Sequence, residues 1–192
     1  MTNKEIIFKR LHEAGVDSEP LGPMDFEPQT FSDPLAQFEE SLKAAGGQSV
    51  RLNPGDDINE VILRLYPDAK NIASDLTEIT CANINPDTVD EPQKLAGTDV
   101  AVVRGDFGVA ENGMVWVPRN VRWKALYFVA EALVLLMDHE KVVSNMHQAM
   151  QRPELNDFDF GCFIAGPSKT ADIEQALVIG AHGARNLTVL LY

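Results

Sequence analysis

The alternation of short apolar strands with amphipathic helices is the feature of this sequence that most restricts its fold. The run Asp99–Val103 is compact and β-branched, which is typical of a strand buried on both faces of a parallel sheet. Similar strand-like runs occur at 49–52, 71–73, 126–137, 158–165 and 187–191. Because helical patterns separate most of these runs, we predict an α/β layered sandwich in which helices cover a mostly parallel sheet.

Helix signals define the intervening elements. Asp33 supplies an N-cap acceptor, Pro34 is a first helical residue that needs no N–H donor, and Gly46-Gly47 ends the helix. The helical spacing of apolar residues predicts three more helices in the domain, over 57–65, 138–150 and 171–181. The last of these helices begins directly after a short polar loop.

Length and charge limit the domain count and the classes of partner. A chain of 192 residues predicts one domain, which divides into an N-terminal helix with a proline-rich arm at 1–34 and an α/β domain at 35–192. Sixteen basic against 29 acidic residues give a formal charge of −13. Phosphate backbones and anionic lipids repel such a chain, so nucleic acid and membrane surfaces are poor partners. Two roles stay open for the arm, docking on a partner subunit or crossing over within a homodimer.

Cysteine, histidine and leader patterns add further exclusions. Cys81 and Cys162 form no CxxC motif, and none of the four histidines lies at a convincing metal-ligand spacing. The N-terminus lacks a secretory apolar region, and the apolar run 125–137 is too short to span a bilayer. We therefore expect a cytoplasmic protein that binds no metal and does not insert into a membrane.

A polar loop with the sequence Gly166-Pro167-Ser168-Lys169-Thr170 joins a predicted strand to a predicted helix. The free N–H donors and partial positive charge of a helix N-terminus attract carboxylate or phosphate. Ser168 and Thr170 add hydroxyl donors, and Lys169 adds a full charge. We therefore predict an anion site at the carboxyl ends of the strands, formed by Gly166, Ser168, Lys169, Thr170 and Asp172. The alternative is that Ser168 or Thr170 only caps the helix, with Asp172 favouring its dipole.

A second candidate is the carboxylate of Glu111, in the predicted hairpin turn Glu111-Asn112-Gly113. A carboxylate held on such a turn is a candidate nucleophile or general base in apolar surroundings, and a solvated surface group otherwise. Five charged residues around the hairpin form either a positive patch beside Glu111 or ordinary surface charge: Arg104, Asp106, Arg119, Arg122 and Lys124. We expect a small carboxylate or phosphate between this turn and the 166–170 loop, with Glu111 as acid/base.

Two blocks of the sequence are similar to the LUD-domain family. The segment 165–175, followed by Gly180-Ala181-His182-Gly183, resembles the C-terminal signature of that family, most of all in its lactate-utilization members. The stretch Asp99–Val117 resembles a second family block, in which most members have threonine at the place of Asn112. The likeness extends from residue 35 to residue 192.

This resemblance implies a fold, a role and a set of partners. The fold is that of the sugar-phosphate isomerase and coenzyme-A transferase superfamily. The role is in the oxidation of L-lactate to pyruvate, together with separate iron–sulfur proteins. On that expectation the chain is a non-redox component that binds no cofactor itself, and the iron–sulfur clusters belong to its partners.

A further resemblance concerns the hairpin turn alone. Ala110-Glu111-Asn112-Gly113 is similar to the Ser-Glu-Asn-Gly tetrapeptide of family I coenzyme-A transferases, whose glutamate forms a covalent thioester. Carried over, the likeness makes Glu111 a nucleophile toward an acyl thioester, with Ala110 in the place of the serine. Three functions therefore stay open: a lactate-utilization component, an enzyme similar to coenzyme-A transferases, and a purely structural interaction subunit.

Overall fold

The helices and strands were located in a computed structural model, which describes residues 2–15, 27–156, 159–173, 176–180 and 182–192. The helices are α1 (Asn3–Glu13), α2 (Pro34–Ala44), α3 (Ile58–Leu65), α4 (Leu126–Val129) and α5 (Met146–Ala149). The strands are β1 (Gln48–Arg51), β2 (Ile72–Ala73), β3 (Val100–Arg104), β4 (Phe107–Val109), β5 (Met114–Pro118), β6 (Ala132–Met137), β7 (Val142–Val143), β8 (Gly161–Ile164), β9 (Lys169–Ile173), β10 (Ala176–Ile179) and β11 (Asn186–Leu191). Short 3-10 helices lie at Pro86–Thr88, Pro92–Leu95 and Pro153–Leu155.

A parallel sheet forms the centre of the molecule, with the strand order β1-β11-β6-β3-β2. All six residues of β6 are buried, as the apolar run at this position requires. Alternate residues of β3 point to opposite faces of the sheet, so Val103 packs in the same cluster as α2, and Val102 in the same cluster as α3. The predicted α/β fold with helices on a mostly parallel sheet is confirmed.

A second, mixed sheet has the order β7-β4-β5-β8 and contains the predicted hairpin. β4 and β5 are antiparallel, with Phe107 opposite Trp116. The turn between them places Gly113 at φ +65°, and a Cβ there would come within 2.3 Å of the Leu42 backbone nitrogen. Glycine is therefore required at this position by both its conformation and its contact with α2.

Helix α2 packs against strands of both sheets, and its local sequence explains where it begins. Asp33 accepts a hydrogen bond from the Ala36 N–H at 3.0 Å, and Pro34 occupies the first helical position. Phe38 and Leu42 are fully buried, one turn apart on the face that meets the sheets. The helix predicted after Asp33 is thus confirmed.

The predicted helix over 138–150 is wrong. Val142 and Val143 form β7, which pairs in parallel with β4, and only the single turn of α5 is helical. Asn145, rather than Asp138, caps that turn by accepting from the Gln148 N–H at 3.0 Å. Two adjacent β-branched residues suit a strand, and pairing with β4 outweighs their helical spacing.

The predicted helix over 171–181 is also wrong, because this segment forms the antiparallel pair β9 and β10. Thr170 lies opposite Val178, and Lys169 lies opposite Ile179. The run Leu177-Val178-Ile179 is short and apolar, and two of its residues are β-branched. In a run this short, periodicity alone cannot distinguish a helix from a strand. The helix N-terminus that motivated the anion site is therefore absent from the described part of this segment.

Of the other expected elements, one is divided and one is confirmed. The strand predicted at 126–137 is divided into the helical turn α4 and the strand β6, with the exposed Glu131 directly before β6. The N-terminal helix predicted around Ile7 and Leu11 is confirmed as α1. The first part of the proline-rich arm Pro20–Pro34, residues 20–26, lies outside the described residues.

Candidate anion-binding site

A cavity of about 420 Å³ lies beside the loop Gly166–Lys169, which we call the 166–169 loop. Tyr127 and Phe128 of α4 form another part of its lining, and residues 182–184 form a third. Leu133 and Leu187, near the amino ends of β6 and β11, complete its inner wall. The loop follows the carboxyl end of β8, as predicted, but β8 belongs to the second sheet. Relative to the central sheet, the loop lies at the amino ends of the strands.

The 166–169 loop is held by backbone contacts on two sides. Gly166 has φ +66°, and a Cβ there would come within 2.3 Å of the Ala45 carbonyl oxygen. The Ser168 N–H donates to the Ala184 carbonyl at 2.8 Å, and the Ser168 carbonyl accepts from the Gly180 N–H at 2.9 Å. The loop is therefore fixed between the end of α2 and the segment that precedes β11.

The side chains of this loop are polar and partly accessible. The Ser168 hydroxyl accepts a hydrogen bond from the His182 N–H at 3.4 Å, which orients it beside the cavity. The Lys169 side chain is exposed, and its Nζ atom lies beside Gly46, just after the carboxyl end of α2. The partial negative charge of that helix end favours an ammonium group there.

The ionisable side chains that line the cavity are basic or neutral. Lys169 and His182 are the basic ones, and the described lining includes no aspartate or glutamate. Burial raises the pKa of the Tyr127 phenol to about 12, so this side chain stays neutral. Its hydroxyl lies 2.8 Å from Asn120 Oδ1 and is already engaged there. Lys169 thus gives the cavity a local positive charge, in contrast to the formal charge of −13 of the whole chain.

The structure brings together only some of the predicted ligand-binding residues. Gly166, Ser168 and Lys169 line the cavity. Thr170 and Asp172 belong to β9, and their side chains lie outside the described atoms. His182 also lines the cavity, whereas the residue pattern predicted only that it supports a helix end. Its place in the glycine-flanked segment 180–183 was the available signal for a site.

Glu111 holds the segment before α5 in place through two hydrogen bonds. Its Oε1 atom accepts a hydrogen bond from the Met146 N–H at 2.9 Å, at the start of α5. The Glu111 N–H donates to the Ser144 carbonyl at 3.0 Å, so both ends of the residue hold the segment that precedes α5. The side chain is exposed and is not among the residues that line the cavity.

The two predicted turns nevertheless lie on one helix end. Gly113 faces the backbone of Ser41 and Leu42, and Gly166 faces Ala45. These contacts are three to four residues apart, about 5 Å along the helix axis at 1.5 Å per residue. The turns are therefore neighbours, whereas the Glu111 carboxylate and the cavity have different surroundings.

The charged residues around the hairpin do not surround Glu111. They lie at the open end of the hairpin, away from the turn, because Arg104 precedes β4 and Arg119 follows β5. Arg119 pairs with Asp159 at 3.8 Å, and the Lys124 Nζ lies 4.0 Å from the Phe160 ring centroid. For Arg119 and Lys124 the alternative of ordinary surface charge is the better description, whereas Arg104 and Asp106 are half-buried.

A polar cluster at the carboxyl edge of the central sheet was missed from sequence. Arg104 donates to the Tyr192 hydroxyl at 2.8 Å and forms an ion pair with Glu78. These three side chains line a small cavity of about 260 Å³ with an apolar floor. Nearby, burial raises the pKa of Asp75, which is the second residue after the end of β2. Residues just after parallel strands are the signal that could have found this cluster.

Comparison with known proteins assigns the chain to a family. The family model described as the LUD domain matches residues 85–192, more than half of the chain. The chain belongs to the LUD domain family. The matched region includes the Glu111 turn and every residue of the 166–169 loop, so both candidate sites are parts of the LUD domain.

Several relatives of this LUD domain protein are named lactate utilization protein C. The protein from Geobacillus kaustophilus is 34% identical over 92 residues, covering 44% of this chain and 38% of that protein. The protein from Oceanobacillus iheyensis is 28% identical over 100 residues, covering 48% and 43%. The chain therefore matches about two fifths of the length of these relatives.

A solved structure supports the fold of this LUD domain protein. A DUF162 family protein from Deinococcus radiodurans matches with a TM-score of 0.64 at 12% sequence identity. The match covers 85% of this chain and 99% of that one. At this identity, the comparison extends to the architecture only.

The cysteines and the other metal-ligand side chains form no cluster in the described ranges. No group of three or more His, Cys, Asp or Glu residues placed to hold a metal ion occurs there. Cys81 and Cys162 are half-buried, and burial raises the pKa of both thiols. Within the same ranges, no helix has the length and apolar character needed to cross a bilayer.

Proposed function

We propose that this LUD domain protein is a non-redox component of a lactate-utilization system, and that the cavity beside the 166–169 loop binds a small carboxylate or phosphate. The relatives named lactate utilization protein C support the first part. The basic lining of the cavity supports the second part. Lys169 and His182 line it without a described carboxylate, in a chain that is otherwise strongly acidic.

The proposal depends on the basic lining, because a positive charge in a concave site attracts an anion more strongly than the same charge on an open surface. A cavity wall of low dielectric strengthens the attraction between a bound anion and the Lys169 ammonium. The Ser168 hydroxyl lies beside the same space and can turn its proton toward an oxygen of the anion. Phe128 and Leu133 supply an apolar side for the rest of the ligand.

The volume of the cavity bears on the choice of ligand. A water molecule occupies ~30 Å³ in the liquid. If each non-hydrogen atom of a lactate ion takes the same volume, the ion needs about 180 Å³. That is less than half of the 420 Å³ available. Lactate and pyruvate fit with room for water, and larger carboxylates and phosphate esters belong in the same test.

Partners and compartment are further parts of the proposal. In the proposed system iron–sulfur proteins oxidise lactate, and this chain assists them in the cytoplasm without carrying a cluster. Its cysteines suit such a division of labour, because Cys81 lies in a turn after β2, Cys162 lies in β8, and cluster ligation requires several thiolates together.

Growth on lactate tests the role, and direct binding tests the site. A strain without the gene should fail to grow on L-lactate and should regain growth with the wild-type chain. Lys169→Ala should bind phosphate, pyruvate or lactate about ten-fold more weakly in calorimetry, the loss expected for one charge-assisted contact. Lys43→Ala removes an exposed lysine of α2 that is outside the cavity lining, and it should bind normally.

The growth test and the binding test can contradict the two parts of the proposal separately. Normal growth of the deletion strain on L-lactate contradicts the lactate-utilization role. Unchanged affinity in Lys169→Ala, or no binding of any of these anions to the wild-type chain, contradicts the anion site.

A further inference from the structure

The cavity beside the 166–169 loop has a polar side and an apolar side. Its polar side is formed by Ser168, Lys169 and His182, which belong to two segments that are hydrogen-bonded to each other. The larger apolar side chains of the lining come from other elements, namely α4, β6, β8 and β11. A ligand that fits this division has a charged group at one end and an apolar body at the other.

The apolar side combines a closed floor with accessible walls. Leu133 and Leu187 are 1% and 3% exposed, so they close the cavity toward the core. Phe128 is 43% exposed, and Ile164 is half-buried and packs against the same core cluster as the two leucines. The buried Tyr127 ring meets the Phe128 ring edge-on, with 6.2 Å between the centroids, and supports it beside the cavity. An apolar group placed against Phe128 and Ile164 therefore removes apolar surface from water.

The volume of the cavity indicates the size of the apolar body. At ~30 Å³ for each non-hydrogen atom, an octanoate ion needs about 300 Å³ and a phenylpyruvate ion about 360 Å³. Both ions fit within the 420 Å³ of the cavity. Lactate, at about 180 Å³, leaves much of the apolar side in contact with water.

The polar side suits a carboxylate better than a phosphate. Phosphate-binding loops use several free backbone N–H groups. Here the Ser168 N–H donates to the Ala184 carbonyl, and the His182 N–H donates to the Ser168 hydroxyl. The side-chain donors of the loop, the Lys169 ammonium and the Ser168 O–H, match the oxygens of a single carboxylate.

We propose that this cavity binds a carboxylate with an apolar body, in the size range of about eight to ten carbon atoms. The inference rests on the anion site proposed above and adds the class of anion. The carboxylate lies at Lys169 and Ser168, and the apolar body covers Phe128 and Ile164 above the floor formed by Leu133. The ligand of this cavity thus differs from the acid that the proposed system oxidises.

A series of straight-chain carboxylates tests the apolar body. In calorimetry with the full chain, affinity should rise about three-fold for each methylene from butanoate to octanoate, because each methylene buries further apolar surface. Phenylpyruvate should bind about as tightly as octanoate. Lactate and phosphate should bind at least about ten-fold more weakly than octanoate. Octylamine should also bind at least about ten-fold more weakly, because Lys169 repels its ammonium group.

Two variants separate the apolar wall from the charged group. Phe128→Ala should lower the affinity for octanoate about ten-fold and that for butanoate only about two-fold, so the gain per methylene falls. Lys169→Ala should weaken both acids about ten-fold, so the gain per methylene stays the same. Leu63→Ala is the matched control, because Leu63 is a 46% exposed residue of α3 outside the cavity lining, and it should bind like the wild type. Near-UV circular dichroism of each variant excludes unfolding as the cause of a loss.

Equal affinities for lactate and octanoate would contradict this inference and leave the proposed anion site in place. Equal affinities for octanoate and octylamine would also contradict it, because the tail would then bind without recognition of the carboxylate. An unchanged affinity for octanoate in Phe128→Ala would place the apolar body elsewhere and overturn the assignment. If neither phosphate nor any carboxylate binds the wild-type chain, this inference and the proposed anion site are both wrong.

Discussion

The Lys169 Nζ atom lies 3.3 Å from the position that a Cβ on Gly46 would occupy. Gly46 has φ +88° and follows α2, so the glycine both ends the helix and leaves space for the ammonium group. The lysine of the proposed anion site is therefore positioned by a residue that is distant in sequence.

Gly46→Ala should separate backbone strain from ligand binding. An alanine at this φ destabilises the fold by about 1–2 kcal/mol, and the new Cβ shifts the Lys169 ammonium. Gly55→Ala is the matched control, because Gly55 has φ +95° with nothing within 4 Å of its Cβ position. Thermal unfolding should show equal losses, while calorimetry with phosphate should show an about three-fold loss in Gly46→Ala alone. Equal weakening of binding in both variants would contradict the positioning role.

Glu111→Gln distinguishes a structural carboxylate from a nucleophile. The substitution keeps an acceptor for the Met146 N–H but removes the charge, so we expect a loss of about 0.5–1 kcal/mol in urea unfolding. Glu140→Gln, at an exposed turn position, should unfold like the wild type.

The same variant tests the transferase alternative. Incubation with acyl-coenzyme A, borohydride reduction and mass spectrometry should show no modified Glu111, because its carboxylate is bound to the start of α5. A modification that appears in the wild type and disappears in Glu111→Gln would establish the nucleophile.

Asp75→Asn should stabilise the protein at neutral pH. Burial raises the pKa of Asp75, assisted by the negative charges of Asp87 and Glu78, so the folded state retains a proton that the unfolded chain releases. Stability therefore falls as pH rises from the ordinary aspartate pKa to the raised one, and stays lower above it. Because the side chain is only partly buried, we expect a gain of about 0.5–1 kcal/mol at pH 7.

The pH dependence provides the check on this assignment. The gain from Asp75→Asn should disappear in acid below the ordinary pKa, where the wild-type carboxyl is neutral in both states. Asp68→Asn removes an exposed carboxylate and should give a small difference with no such trend. A destabilised Asp75→Asn variant at pH 7 would show that the charge is favoured in the fold.

Both cysteines should react slowly in the folded protein. Burial raises the pKa of Cys81 and Cys162, so less thiolate is present at pH 7.5 than for a free cysteine. Ellman's reagent should label both thiols at least about ten-fold faster in guanidinium chloride than in buffer. Fast labelling of either thiol in buffer would contradict the expected effect of burial.

Local signals in the sequence were sufficient where an element depends on its own residues. Asp33, Pro34 and the two glycines determine α2, and Asn112-Gly113 determines the hairpin turn. The segments 142–143 and 169–179 are different, because their strands are selected by pairing. Val142 lies opposite Gly108, and the spacing along the chain contains no sign of that partner.

The candidate site was predictable to a similar extent. The composition of the loop indicated Ser168 and Lys169, and both line the cavity. The helix N-terminus that was expected to add amide donors does not form, since β9 begins at Lys169. The Arg104–Glu78 pair joins residues 26 positions apart, so only the folded chain reveals it.

The carboxyl end of α2 supports two turns that come from different strands. Gly113 rests on Ser41 and Leu42, and Gly166 rests on Ala45, with no space for a side chain at either glycine. A shift of this helix end would therefore press on both turns, which makes the last turn of α2 their common support.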